Sequence, residues 1–297
     1  MTVADIAALA NAAAAQTDHT KAPEQKDFER VVAAPGKGIM RLREYIELGK
    51  HSNASAAYPN KAPSRKARFV FELCTPRHIQ HIPQEGREEL LIPHVLGVTL
   101  AMPDTGTPAH AKSGYAKLFA KLNYDGALQH PAQALGRAFV VDILAGYDKD
   151  DYEGGKVKAD AKQKYANFKD KDGAFLVYPP RMEDPLSGAI TEIPVPELRG
   201  DLKIFLYDSP TKVTWDSIFI DGTYEKDGKT VSKNWMQEMI KSALDYEGSA
   251  THQLLATGDP AALDNLPTGG AAKGAIEDAV IVESKGAVAD PLAGFGL

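Results

Sequence analysis

Hydrophobic and polar residues alternate in several short segments of the chain, which is the pattern of a half-buried β-strand. In residues 39–48 the alternation separates apolar residues from a mostly polar set, and only Glu44 interrupts it. The apolar face is Met40, Leu42, Ile46 and Leu48, and the opposite face is Arg41, Arg43, Tyr45 and Glu47. The same alternation predicts strands at 67–73, 94–102 and 137–144.

Other segments have the spacing of helices and turns. Residues 112–122 place apolar side chains at helical intervals, which predicts a helix with a core-facing stripe. Residues 131–136 and 231–246 are predicted to be helical as well. The DKDG sequence at 170–173 lies between two apolar segments and predicts a β-hairpin. Residues 49–66 are rich in Ser, Asn, Ala and Pro, which predicts a long loop.

The order of these elements predicts a fold that is mainly β with some α. Three strands, a helical connection and further strands are the order of the OB-fold, a five-stranded Greek-key barrel. We therefore expect an OB-fold-like five-stranded barrel with helical insertions and a disordered acidic tail. The expected organisation is an Ala-rich N-terminal arm (1–34), a nucleic-acid-binding body (35–248) and a flexible acidic tail (249–297).

Charge is distributed unevenly along the 297 residues, although the net charge is only −6. Residues 251–297 contain six acids and two bases, whereas residues 35–82 contain nine bases and three acids. A locally basic body can bind polyanions despite a negative total. The single Cys74 excludes a disulfide framework, and no apolar run approaches the length of a membrane span. No export signal is recognised, so we expect a cytoplasmic protein with no membrane partner.

Catalytic motifs are absent from the sequence. There is no GxxxxGK[ST], GxGxxG, GxSxG or HExxH pattern, so no catalytic residue and no cofactor is predicted. Cys74, His78 and His81 have ligand chemistry for zinc, but their spacing fits no common structural module, and no metal site is assigned. A metal-dependent nuclease remains an alternative if Glu72 and Asp142, on separate strands, lie together.

The cationic and aromatic residues of the body predict a nucleic-acid surface. Cations follow phosphates, and exposed aromatic rings stack on unpaired bases. The predicted contacts lie on the polar faces of the first two strands, in the loop between them and on the later hairpin. They are Lys37, Arg41, Arg43, Tyr45, Lys50, Tyr58, Lys61, Arg65, Lys66, Arg68 and Tyr165.

The end of the tail has a different composition. It closes with ADPLAGFGL, in which Asp290, Phe295 and Leu297 combine an acid with apolar residues. Such a terminus can dock in pockets of partner proteins, and an acidic tail can compete with nucleic acid for a basic groove.

The body resembles bacteriophage single-stranded DNA-binding proteins, which have an OB-fold core and an acidic tail. The similar segments are GIMRLREYIELGKH (38–51), KARFVFEL (66–73), KLFAKLNYDG (117–126), LGRAFVVDI (135–143), YANFKDKDGAF (165–175) and WDSIFIDG (215–222). The resemblance implies sequence-independent coating of single-stranded DNA in phage replication or recombination. It also implies that the tail recruits replication or recombination proteins. A homo-oligomer is left open, and a structural or assembly protein of a virus particle is the main alternative.

Overall fold

The computed structural model describes residues 31–84, 86–184, 186–226 and 229–257. Its strands are β1 (Gly36–His51), β2 (Ser64–Leu73), β3 (Ile79–Ile82), β4 (Leu90–Pro93), β5 (Val95–Met102), β6 (Ala138–Gly146), β7 (Tyr152–Glu153), β8 (Lys156–Val157), β9 (Tyr165–Asn167), β10 (Val177–Tyr178), β11 (Arg181–Glu183), β12 (Ile190–Glu192), β13 (Lys203–Phe205), β14 (Thr223–Lys226) and β15 (Lys229–Ser232). Its helices are α1 (Gly114–Leu122), α2 (Lys212–Ser217), α3 (Trp235–Lys241) and α4 (Ala250–Thr257). The described chain is mainly β with few helices, as predicted.

One sheet organises the described part of the chain. Its strand order is β10-β6-β1-β2-β5, with β9 also beside β6 and β13 also beside β1. The four strands β6-β1-β2-β5 have the Greek-key order, in which a fourth strand returns to lie beside the first. The sheet curls into a half-barrel, and β5 and β10 stand at its two ends. The four strands predicted from alternation are confirmed as β1, β2, β5 and β6.

A β-bulge in β1 changes which residues face the core. The pairing of β1 with β2 shifts register between Leu42 and Glu44, and a bulge of this kind reverses the alternation that follows it. Tyr45 therefore joins Leu42 in the main core, whereas Ile46 faces a second core on the other side. The predicted faces of residues 39–48 are wrong beyond the bulge, because alternation alone does not reveal an extra residue.

The main core lies on the inner side of the half-barrel. Phe69, Phe71 and Phe139 are fully buried there, and helix α1 packs against them. Ser113 caps this helix by accepting a hydrogen bond from the Ala116 N–H at 3.1 Å. The predicted helical stripe of α1 is confirmed, since its residue Leu118 is fully buried.

The second core covers the outer side of β1 near its end. Ile46 on β1 packs with Phe205 of β13, Trp215 of α2 and Ile240 of α3. Helix α4 also belongs to this core through Leu254. The C-terminal elements thus fold back over the outer face of the sheet.

The chain next to each predicted domain boundary packs against the body. Residues 250–257, expected in the flexible tail, form α4, and the Thr251 hydroxyl donates to the Tyr207 carbonyl at 2.9 Å. Ala33, expected in the arm, is buried in the main core. Residues 1–30 and 258–297 lie outside the described residues, and so do Asp290, Phe295 and Leu297. None of the described helices has the length and apolar character required to cross a bilayer.

Candidate nucleic-acid interface

The outer face of β1, predicted to hold DNA, is covered by the chain itself. Arg41 Nε donates to the Pro196 carbonyl at 2.9 Å, and its Nη1 donates to the Gly136 carbonyl at 2.7 Å. Arg43 lies 3.4 Å from the carboxylate of Glu72. The predicted roles of Arg41 and Arg43 as free phosphate ligands are therefore wrong, because their donors already bind protein acceptors.

A buried carboxylate fixes the covering segment in place. Glu72 of β2 is fully buried and accepts hydrogen bonds from the backbone N–H groups of Arg199 at 2.6 Å and Gly200 at 3.0 Å. These hydrogen bonds hold the segment before β13 against the outer face of the sheet, which sequence alternation predicts to be exposed. Alternation identifies a face that points away from the main core, but it does not show whether a later segment covers that face.

Tyr45, predicted to stack on bases, is fully buried. Its hydroxyl donates to Glu47 Oε1 at 3.2 Å and lies 3.3 Å from the hydroxyl of Tyr115. Burial raises the pKa of the Glu47 carboxyl, although a hydrogen bond from the Tyr207 N–H at 3.0 Å opposes this effect. The prediction for Tyr45 is wrong because the bulge turns its ring into the core.

Arg65 at the start of β2 is also bound by another side chain of the protein. Its guanidinium forms two hydrogen bonds of 2.7 Å with the carboxylate of Asp208 and lies over the ring of Tyr207. Burial alone would raise the pKa of Asp208, but the hydrogen bonds from Arg65 lower it below its usual range. This bidentate pair joins β2 to the C-terminal elements, so Arg65 serves the fold and the prediction that it binds phosphate is wrong.

Two predicted lysines sit at partly exposed edges beside acids. Lys37 Nζ lies 3.8 Å from Asp142, and Lys50 Nζ lies 3.6 Å from Asp104. Half-exposed pairs of this kind are weak, so a phosphate can compete for either lysine.

Arg68 differs from the other predicted arginines. No hydrogen bond or ion pair joins its guanidinium to a described residue, and its Nε is buried without a partner among them. The guanidinium lies over the ring of Trp235, 5.0 Å from the ring centre. Burial lowers the pKa of Arg68, but an arginine keeps its charge at neutral pH. The site therefore offers a stacked cation with unused hydrogen-bond donors.

Gly97 of β5 makes room for this cation. A side chain at this position would place its Cβ 2.9 Å from Arg68 Nη2, so the guanidinium rests over bare backbone. The outward positions around it on β5 are Val95, Thr99 and Ala101, all exposed. Trp235 is 38% exposed, which leaves part of its ring open to a ligand. We call Arg68, Trp235 and the outward positions of β5 the Arg68–Trp235 face.

The loop between β1 and β2 adds further cationic and aromatic groups. Tyr58 is 67% exposed, and Lys61 and Lys66 carry no ion pair with a described residue. Lys66 Nζ donates only to the Ser52 carbonyl at 3.2 Å. Lys66 lies two residues before Arg68 on the same outward face of β2, so it borders the Arg68–Trp235 face.

Tyr165 does not extend this surface. It is paired with Gly146 at the end of β6 that lies beside the start of β1, whereas Arg68 is paired with Ile46. These positions are about 40 Å apart along an extended strand. The hydroxyl of Tyr165 donates to the Tyr147 carbonyl at 3.1 Å. Tyr165 therefore lies far from Arg68, at the end of the sheet that carries Lys37.

The candidate metal and nuclease residues do not meet. Glu72 is paired with Arg41 and Asp142 with Lys37, which puts the two acids about 13 Å apart along β1 and on its opposite sides. Within the described ranges, no three His, Cys, Asp or Glu side chains are grouped to hold a metal ion. Burial raises the pKa of the Cys74 thiol to about 12.

Trp235 is the site residue that sequence reasoning missed. It lies in the predicted helix 231–246, and it is not among the predicted nucleic-acid contacts. The available signal was its position at the first turn of α3, directly after the helix N-cap Asn234, where a side chain can remain exposed. Comparison of the chain with protein families, curated sequences and solved structures found no match.

Proposed function

We propose that this protein binds single-stranded DNA on the Arg68–Trp235 face. The observation that carries the proposal is the guanidinium of Arg68, which is stacked on a half-exposed tryptophan and has donors that no described residue uses. A cation beside an exposed aromatic ring matches a phosphate next to an unpaired base. Stacking on the ring of Trp235 requires an unpaired base, which favours single strands.

The position of the face in the sheet supports the same proposal. We infer that the strand order β10-β6-β1-β2-β5 is that of an open OB-fold-like barrel, with β10 as its fifth strand. OB-folds commonly bind oligonucleotides on their second and third strands and on the loop between the first two. Here those elements are β2, β5 and the loop that carries Tyr58 and Lys61. Phage replication or recombination is the setting that the resemblance to phage proteins implies.

The proposal is tested by anisotropy of a fluorescently labelled oligo-dT at low salt. We expect Arg68→Met and Trp235→Ala each to weaken binding by about tenfold, in line with 1–3 kcal/mol per stacked base. Trp235→Phe, which keeps an aromatic ring, should bind almost as well as the wild type. A duplex of the same length should compete more weakly than the single strand.

Arg137 provides a matched control. Its guanidinium also lies over an aromatic ring, 4.8 Å from the centre of Tyr124, but it is hydrogen-bonded to Asp125. Arg137→Met should leave oligo-dT binding unchanged. The proposal fails if the wild type does not bind oligo-dT, or if Arg68→Met binds as tightly as Arg137→Met.

A further inference from the structure

Two exposed features of opposite chemistry lie at opposite ends of β2. The loop of residues 52–63 leads into its first residue, and the hairpin of β3 and β4 follows its last. The ten residues of β2 separate the two features by about 30 Å. Each feature projects beyond the sheet, so each is accessible to another molecule.

The hairpin of β3 and β4 exposes an apolar face with an acidic edge. Ile82 is paired with Leu90, and Ile92 lies two residues further along on the same side. These three side chains are each about 40% exposed. The described part of the connecting turn contains Arg87, Glu88 and Glu89, all exposed, and Glu89 Oε2 lies 2.9 Å from Nδ1 of His81 on β3. An apolar centre with a charged edge is the usual composition of a protein interface.

The loop of residues 52–63 has the complementary composition. Ser55 and Tyr58 exchange two backbone hydrogen bonds of 3.0 and 3.1 Å, which close a tight turn over Ala56 and Ala57, and the ring of Tyr58 beside this turn is exposed. Asn53 closes the base of the loop by donating to the Ala62 carbonyl at 2.8 Å. Lys61 is exposed beside the turn, and residues 49–66 contain no acid. The loop therefore presents one exposed cation, Lys61, and one exposed aromatic ring, Tyr58, with no acid beside them.

We propose that the β3–β4 hairpin of one copy docks onto the 52–63 loop of a second copy. Tyr58 would cover the aliphatic face of the hairpin, and Lys61 would meet the glutamates at its edge. The charge complementarity of the two surfaces favours a copy of this chain as the partner. Because the two surfaces are different, the contact is heterologous, and its repetition joins more than two molecules into a chain or a ring. It leaves the Arg68–Trp235 face uncovered, although it occupies the neighbouring loop of Tyr58 and Lys61, and it goes beyond DNA binding.

A charge exchange tests this contact in the absence of DNA. Sedimentation velocity of the wild type over a concentration series should show species that grow beyond a dimer. Lys61→Glu and Glu88→Lys, each alone, place like charges in the contact and should weaken association by about tenfold. An equimolar mixture of the two variants should associate again, because each variant then meets a partner of opposite charge. The Lys61→Glu/Glu88→Lys double variant should also regain association.

Two leucine variants, one inside the contact and one outside it, test the apolar part of the contact. Leu90→Ser should weaken association, whereas Leu186→Ser, at an exposed leucine outside the contact, should not. Circular dichroism of each variant checks that the fold is retained. A monomeric wild type, association that stops at a dimer, or a mixture that stays monomeric would each overturn the proposal. Since no DNA is present, none of these outcomes bears on the oligo-dT test.

Discussion

The outer faces of β1 and β2 carry arginines on neighbouring strands, yet these arginines have different surroundings. Arg41 donates to the backbone carbonyl of Pro196, in the segment that covers this face, and to that of Gly136, just before β6. Arg68, on the next strand, stacks on the ring of Trp235 beside Gly97 and forms no hydrogen bond or ion pair with a described residue. The difference arises from the C-terminal segment, which covers the outer side of β1 and stops short of β5. An arginine that sequence alternation places outside becomes a binding residue only where no later segment supplies its acceptors.

The largest expected loss of stability comes from Glu72, which holds the segment before β13 on the outer face of the sheet. Glu72→Ala removes a buried carboxylate that accepts two backbone N–H groups and faces Arg43. Breaking such an arrangement leaves buried donors without partners, and we expect a loss of about 3–5 kcal/mol in the free energy of unfolding. Urea denaturation followed by circular dichroism measures it. A loss below about 1 kcal/mol would mean that the covering segment is not held by Glu72.

A matched pair of arginine variants separates the two faces more directly. Arg41→Met leaves the carbonyls of Pro196 and Gly136 without their donor and should cost about 1–3 kcal/mol of stability. Arg68→Met removes a guanidinium that has no hydrogen-bonded partner among the described residues, so stability should stay within about 0.5 kcal/mol of the wild type. If the two variants lose equal stability in thermal or urea unfolding, Arg41 and Arg68 do not differ in how much they contribute to the fold.

The contribution of the buried carboxyl of Glu47 to stability should depend on pH. Burial raises the pKa of the Glu47 carboxyl above its usual 4.5, so the folded protein binds this proton more tightly than the unfolded protein. The stabilisation it provides is complete below pH 4.5 and is lost as the pH rises through the folded pKa. Glu47→Gln cannot ionise, and its stability relative to the wild type should therefore increase as the pH rises.

Urea unfolding of both proteins between pH 4.5 and pH 8 measures this difference. Arg68→Met serves as the control, because arginine does not titrate in this range. A constant difference between Glu47→Gln and the wild type would show that the carboxyl titrates normally.

Sequence patterns predicted the strands of the sheet and part of the site, for identifiable physical reasons. Alternation depends on local burial, so β1, β2, β5 and β6 were predictable. Tyr45 points into the core because of a single bulge in β1. Arg41 is covered because Pro196, 155 positions later in the chain, packs over it and accepts its hydrogen bond. Local patterns contain neither kind of information. Arg68 was correctly placed outside, but its stacking on Trp235 depends on how α3 packs against the sheet.

The salt dependence of oligo-dT binding tests the central claim most directly. Each phosphate that a cation neutralises contributes about 0.7 to the slope of log K against log salt for a single strand. Arg68→Gln should reduce the slope of the wild type by about that amount, whereas Arg41→Met, measured on folded protein, should leave it unchanged. Equal slopes for Arg68→Gln and the wild type would contradict the assignment of single-stranded DNA to the Arg68–Trp235 face.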